Sequence, residues 1–274
     1  MPSAPNQTFG VDFSSRPSRR KPIVVARGER HADEVHLLGL QPFETLGAFG
    51  EWLADAANGP WAGGFDLPFG LPRELVEQLG WPRQWLPLMR HYTALPRNEI
   101  RTLFSDFCAS RPAGGKFAHR ACDRPAGSSP SMKWVNPPVA YMMHAGVALL
   151  IDANVHLPGL HAGDPLRVAL EAYPGMLARE LIGRRSYKSD QRAKQTAERR
   201  SARADLIAAL EQGRSRLGLR LMLTNGHRLA LSTDASGDSI DAVLCLIQTA
   251  WAIGQPGYGL PDAVDPLEGW IITA

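Results

Sequence analysis

The sequence predicts an α/β fold: a sheet opened by an antiparallel meander and covered by helices. Three observations carry this. The first 67 residues read β-β-β-α-β. A later apolar strand, Leu166 to Ala172, runs directly into a helical pattern. An apolar helix near the C-terminus, Asp238 to Gly254, must pack against something broad and apolar, and a sheet face supplies that.

Thr8 to Phe13 is a short β-prone run in which Gly10 permits close packing. Lys21 to Ala26 and Glu34 to Leu40 are the second and third strands, and their short connections favour antiparallel pairing. From Phe43 to Ala57, apolar residues at Phe43, Leu46, Phe49, Leu53 and Ala57 recur near the helical period. Trp61 to Leu67 is an apolar strand containing Asp66, stopped by Pro68, Gly70 and Pro72. Leu71 to Leu95, rich in Trp and Pro, reads as short helices forming a cap. Arg97 to Pro138 carries Gly114-Gly115, Pro125, Gly127 and Pro137-Pro138 and reads as a long functional or partly mobile loop. Val139 to Ala153, Met176 to Ile182 and Thr196 to Glu211 are helical. The chain is thus expected to form a single domain over 1–274, with a helical and loop insertion at about 71–160.

Composition sets the class. Hydrophobic residues make up 44% of the 274, and charged residues 21%, as in ordinary globular proteins. Apolar runs such as Gly146 to Ile151 are too short to span a bilayer. Met1 to Thr8 lacks the apolar core of a secretory leader, so a cytoplasmic location is expected. Three cysteines without CxxC spacing argue against a disulfide framework or zinc site. Net charge is only +3, yet Arg179 to Arg220 holds 12 Lys/Arg against 5 Asp/Glu. Such a basic stretch, with Tyr187 inside it, suits a phosphate backbone, or is a solvated helix face. Gly114-Gly115-Lys116 lacks the spacing of a P-loop, and no Gly-x-Ser-x-Gly is present.

The chemistry concentrates in four acidic segments: Gly10-Val11-Asp12-Phe13-Ser14, Gly64-Phe65-Asp66-Leu67-Pro68, Leu170-Glu171-Ala172-Tyr173-Pro174 and Gly237-Asp238-Ser239-Ile240-Asp241-Ala242. Each places a carboxylate at the end of an apolar strand or the start of a helix. Where strands end on one edge their terminal side chains meet, and ligands bind at such edges in α/β sheets. Asp238 and Asp241, three apart, share a helix face. Clustered carboxylates are costly unless a cation neutralises them, and oxygen-only ligands favour Mg²⁺ or Mn²⁺. Each acid also has a plainer explanation: Asp12 as a turn cap, Asp66 in an Asx turn, Glu171 paired with Arg120 or Arg179, and Asp238 as a helix cap.

In order and spacing these segments resemble the DUF429 family, whose members are regarded as RNase H-like nucleases. The resemblance runs from about Gly10 to Ala252. It implies a mixed five-stranded sheet in the order 3-2-1-4-5, its first three strands antiparallel, flanked by helices. It further implies acidic ligands at Asp12 on strand one, at Asp66 beside strand four, and at Asp238 or Asp241 on the C-terminal helix. Glu171, on strand five, departs from the commonest arrangement.

The expected activity is a Mg²⁺- or Mn²⁺-dependent phosphodiesterase acting on DNA or RNA. Asp12 and Asp66 hold the ions, Asp241 completes the site with help from Asp238, and Glu171 is a further candidate ligand. Lys188 or Arg120 neutralises developing phosphate charge, while Arg184, Arg185 and Ser14 contact substrate. Two alternatives stand beside this: a nucleotide-binding phosphotransferase, and a non-catalytic nucleic-acid-binding module.

Overall fold

A computed structural model describes residues 7–274; segment 1–6, on which most of the leaderless reading of the N-terminus rests, lies outside the described residues. Strands β1 (Gln7–Asp12), β2 (Ile23–His31) and β3 (Glu34–Phe43) form the expected antiparallel meander. Beyond α1 (Leu46–Ala54), β4 (Trp61–Phe65) returns parallel to β1. Strand β6 (Asp164–Glu171) lies parallel to β4 on its other side. The sheet has seven strands where five were expected, in the order β5-β6-β4-β1-β2-β3-β7. The two extra strands, β5 (Val155–His156) and β7 (Arg220–Met222), are short edge pieces. A two-residue strand carries no period. β7 did leave a trace: Leu217, Leu219 and Leu221 alternate, and all three are buried. The five inner strands follow the expected order.

Helices cover both faces because the inner strands bury both. In β2, Ile23 and Val25 face one core, while Val24 and Ala26 face the other. The first core is aromatic: Phe9 packs edge-on against Trp52 and Trp61. The insertion joins this core through α2 (Arg73–Gln78), α3 (Trp85–Ala94), α4 (Arg97–Ala109) and α6 (Val139–Asp152), while α5 (Asp123–Ala126) packs Ala126 in a small separate cluster with Met176 and Ile271. Trp81 and Trp85 are buried there, and the Trp85 indole donates to the Phe69 carbonyl at 2.7 Å, so both serve packing.

The expectation of an irregular Arg97 to Pro138 is corrected over its first third. Ile100, Phe104, Phe107 and Cys108 form a buried helical stripe in α4, a period outweighed in the sequence by the Gly and Pro that follow. The rest is irregular but well packed, with Ala118 and Met132 buried.

The second core lies under α7 (Pro174–Ile182), α8 (Ala197–Glu211) and α10 (Asp238–Ala252). Helix α9 (Asn225–Thr233) escaped the sequence reading. It buries only Leu231, so its stripe is faint, although Thr224 caps it by accepting from the His227 amide at 3.1 Å. None of the helices is long and apolar enough to cross a membrane, among the described residues.

The packing of α10 on the sheet positions the site. Gly10 and Gly64 sit side by side on β1 and β4. A Cβ at Gly10 would overlap the backbone of Ala242 and Leu246, and one at Gly64 would meet the Thr249 hydroxyl. The helix backbone therefore rests directly on the strands. The Thr249 hydroxyl lies 3.0 Å from the Phe9 carbonyl and fixes the helix along its axis.

Candidate metal centre at the sheet edge

β1, β4 and β6 are mutually parallel, so their C-terminal ends share one edge. Asp12 is the last residue of β1. Asp66 follows β4, and its amide extends the ladder by donating to the Val11 carbonyl at 2.9 Å. α10 begins at the same edge, its N-cap Gly237 at φ 81°, where glycine is favoured. One turn in, Asp241 points at the strand ends. Oxygens of Asp12, Asp66 and Asp241 all lie within 4.8 Å of one another.

The electrostatics are those of a confined anionic cluster. Burial, and then the charge of Asp241, push Asp12 well above the usual carboxylate range. The same causes, in the same order, push Asp66 up to about 7. Hydrogen bonds are absent from the leading influences on both groups, whose charged forms therefore lack the usual stabilisation. Asp241 is served differently. The Tyr187 hydroxyl donates to its Oδ1 at 2.6 Å, and the Lys188 ammonium pairs with Oδ2. Burial works against the Lys188 charge, but Asp241, Tyr187 and Asp12 outweigh it and hold its pKa well above the ordinary value. Lys188 is thus the local counter-ion of the cluster, although 42% of its side chain is exposed. A hard divalent cation fits the donor set: three carboxylates, two of them short of donors, in a partly dry cleft.

Compared with models of known protein families, with curated proteins and with solved structures, the chain shows no match.

The structure separates the remaining candidates from this cluster. Asp238 stands in the first turn of α10, accepts from the Ser236 hydroxyl at 3.0 Å and faces Lys21 at 3.6 Å. Glu171 ends β6 and lines the same cavity as Asp66, but it is already paired. Its carboxylate takes two bonds from Arg120, at 2.6 and 2.8 Å, and one from the Phe69 amide at 2.9 Å. Of the two arginine partners considered for Glu171, the fold selects Arg120. Arg120 is 2% exposed. Its five N–H donors are all committed, to Glu171, to Asp123 and to the Glu268 carbonyl. The expected phosphate role of Arg120 and ligand role of Glu171 therefore give way to a buried ion pair that braces the edge from the wall of the adjoining cavity.

Ser14 follows the Asp12 segment, and its hydroxyl accepts from the Arg16 amide at 3.4 Å. Arg184 and Arg185 are exposed on the segment leading to Lys188, with Arg185 paired to Asp205 at 2.7 Å. Arg203, counted in the basic stretch, is buried and donates to the Tyr187 carbonyl at 2.7 Å, holding the Tyr187-Lys188 segment over the acids. Tyr187 and Lys21 are the neighbours that sequence reasoning missed. Tyr187 had a signal, as the lone aromatic in a basic run; Lys21 had none.

The raised carboxylates make stability depend on pH. A carboxyl whose folded pKa exceeds its unfolded value favours the folded state most below about pH 4, and that advantage is lost as pH rises through the folded pKa. For Asp66 the window runs from about 4 to about 7. The melting temperature of metal-free protein is expected to fall across that window, with a smaller slope in Asp66→Asn. Equal slopes in the two proteins would refute the assignment.

Proposed function

We propose that this chain is an RNase H-like protein of the DUF429 type, acting in the cytoplasm as a Mg²⁺- or Mn²⁺-dependent phosphodiesterase on nucleic acid. One observation carries the reading: Asp12, Asp66 and Asp241 converge at the C-terminal edge of parallel strands, with carboxylate oxygens within 4.8 Å of one another. The inner strand order, the meander and the placement of the last acid on the C-terminal helix support it.

A divalent ion in such a site supplies a Lewis acid for a phosphoryl oxygen and eases ionisation of water. The protein's own part is positional. β1 and β4 present Asp12 and Asp66 rigidly, and α10 sets Asp241 against them through the Gly10 contact. Tyr187 orients the Asp241 carboxylate, leaving a defined face toward the cleft. Lys188 stands where a phosphate oxygen would carry developing charge, and it can exchange Asp241 for that oxygen. Arg184 and Arg185, exposed on the same segment, suit the flanking backbone phosphates.

The test is Asp12→Asn, assayed on labelled DNA and RNA with Mn²⁺, Mg²⁺ or a chelator. Cleavage by the natural chain is expected to require the metal, and the variant to lose at least 100-fold. Its melting temperature should hold or rise, because a buried charge has been removed. Metal-independent cleavage, or an active variant, would sink the proposal; metal-independent, salt-sensitive binding without cleavage would favour a binding module.

A further inference from the structure

We infer that the cavity beside the acidic cluster receives one unpaired nucleoside unit of the substrate, so the enzyme works on single strands and single-stranded ends rather than closed duplex. The inference rests on the phosphodiesterase reading for its chemistry but on different residues for its evidence. The cavity measures about 320 Å³, with Asp66 and Lys188 in its lining. That is the small end of ligand pockets, suited to one nucleobase and its sugar. A base within a duplex must leave the stack before it can enter a recessed pocket of this kind.

The walls suit the flat, apolar face of a base. Leu67 and Pro68 line it from the β4 end, Tyr173 from the turn after β6, and Val139 and Met142 from the insertion. Val139 and Met142, three apart on α6, present one helix face. Tyr173 is held in place before any ligand arrives. Its ring packs over Gly175, Arg179 lies 5.3 Å from the ring centroid, and the Arg179 guanidinium reaches the Tyr173 hydroxyl at 3.2 Å. A wall already ordered costs little to use. Met142 is the adaptable element of the same lining. The polar lining also includes the already paired Arg120 and Glu171; Ser129, and Ser128, whose hydroxyl is 3.1 Å from Asp123, suit a base edge or sugar.

The insertion thus supplies the part of the pocket that the sheet lacks. A unit seated in this cavity against Tyr173 and Met142 would have Asp66 and Lys188 within its walls, so its phosphate can reach the three carboxylates.

The experiment uses the full chain and Met142→Trp, which fills the cavity, with Val139→Phe as a milder second variant should the first fold poorly. Probes are adenosine and deoxyadenosine 5′-monophosphate for calorimetric binding with Mn²⁺, and labelled single strands, overhangs and blunt duplex for cleavage. The natural chain is expected to bind the monophosphates and to prefer single strands over blunt duplex by at least tenfold. Both variants should lose tenfold or more in nucleotide binding while Mn²⁺ still raises their melting temperature. Cleavage of single strands or overhangs with blunt duplex spared supports the pocket. Equal cleavage of blunt duplex and single strands, or variants that bind nucleotide as before, overturns it. Nucleotide binding that the variants abolish, in a chain that cuts nothing, would defeat the phosphodiesterase reading and leave the pocket standing.

Discussion

Arg120→Ala is expected to cost about 3–5 kcal/mol of stability at neutral pH, the usual scale for removing one partner of a buried ion pair. The arginine is fully enclosed and binds two buried carboxylates, Glu171 and Asp123. Without it, Glu171 keeps only the Phe69 amide and must either hold an unpaired charge or bind a proton. Burial already raises the Glu171 pKa despite the guanidinium, so the variant should recover part of its deficit as pH falls. Urea unfolding at pH 7.5 and pH 5 measures both effects. A double change, Arg120→Met with Glu171→Leu, should lose less than the single one, because only Asp123, which keeps the residue-120 amide and the Ser128 hydroxyl, is then left without its ion-pair partner. A deficit below about 1 kcal/mol at pH 7.5 would mean that the pair does not brace the edge.

Lys188→Met is expected to tighten Mn²⁺ binding by roughly tenfold at pH 8.5, while lowering activity. Two effects act in the same direction on affinity. The ammonium occupies Asp241, and exchanging a charge-assisted hydrogen bond of this kind costs on the order of 1.5–3 kcal/mol. The positive charge also repels an arriving cation. The alkaline pH matters because Asp66, with its pKa near 7, must be ionised before it can ligate. Calorimetry of Mn²⁺ against both proteins decides it. Unchanged or weaker binding in the variant would remove Lys188 from its role as counter-ion, and full activity would remove it from phosphate.

Much of the site was legible because its residues sit where periodic patterns stop. Asp12 and Asp66 end apolar runs that could only be strands, and strands ending together bring their last side chains together. Asp241 lay in an otherwise apolar helix, where a charge has no cheap packing explanation. The same logic misread Glu171, which also ends a strand. Its companion Arg120 lies 51 residues earlier in a stretch with no period, so nothing local showed which way the carboxylate turns. The basic stretch was read as one surface, yet Arg203 within it is buried against the Tyr187 carbonyl.

The sequence by itself determined the element order, the meander, the α/β class and three acids placed at element ends, because these follow from hydrophobic period and chain breaks within a few residues. Tertiary structure alone decided which acids meet, which are already paired, and what closes the cleft. Those outcomes depend on contacts between distant segments: α10 resting on Gly10, Lys188 folding onto Asp241, and the insertion bringing Met142 into the same cavity as Tyr173. A carboxylate at a strand end is only a candidate; its charge, its partners and its reach are set by whatever the rest of the chain packs against it.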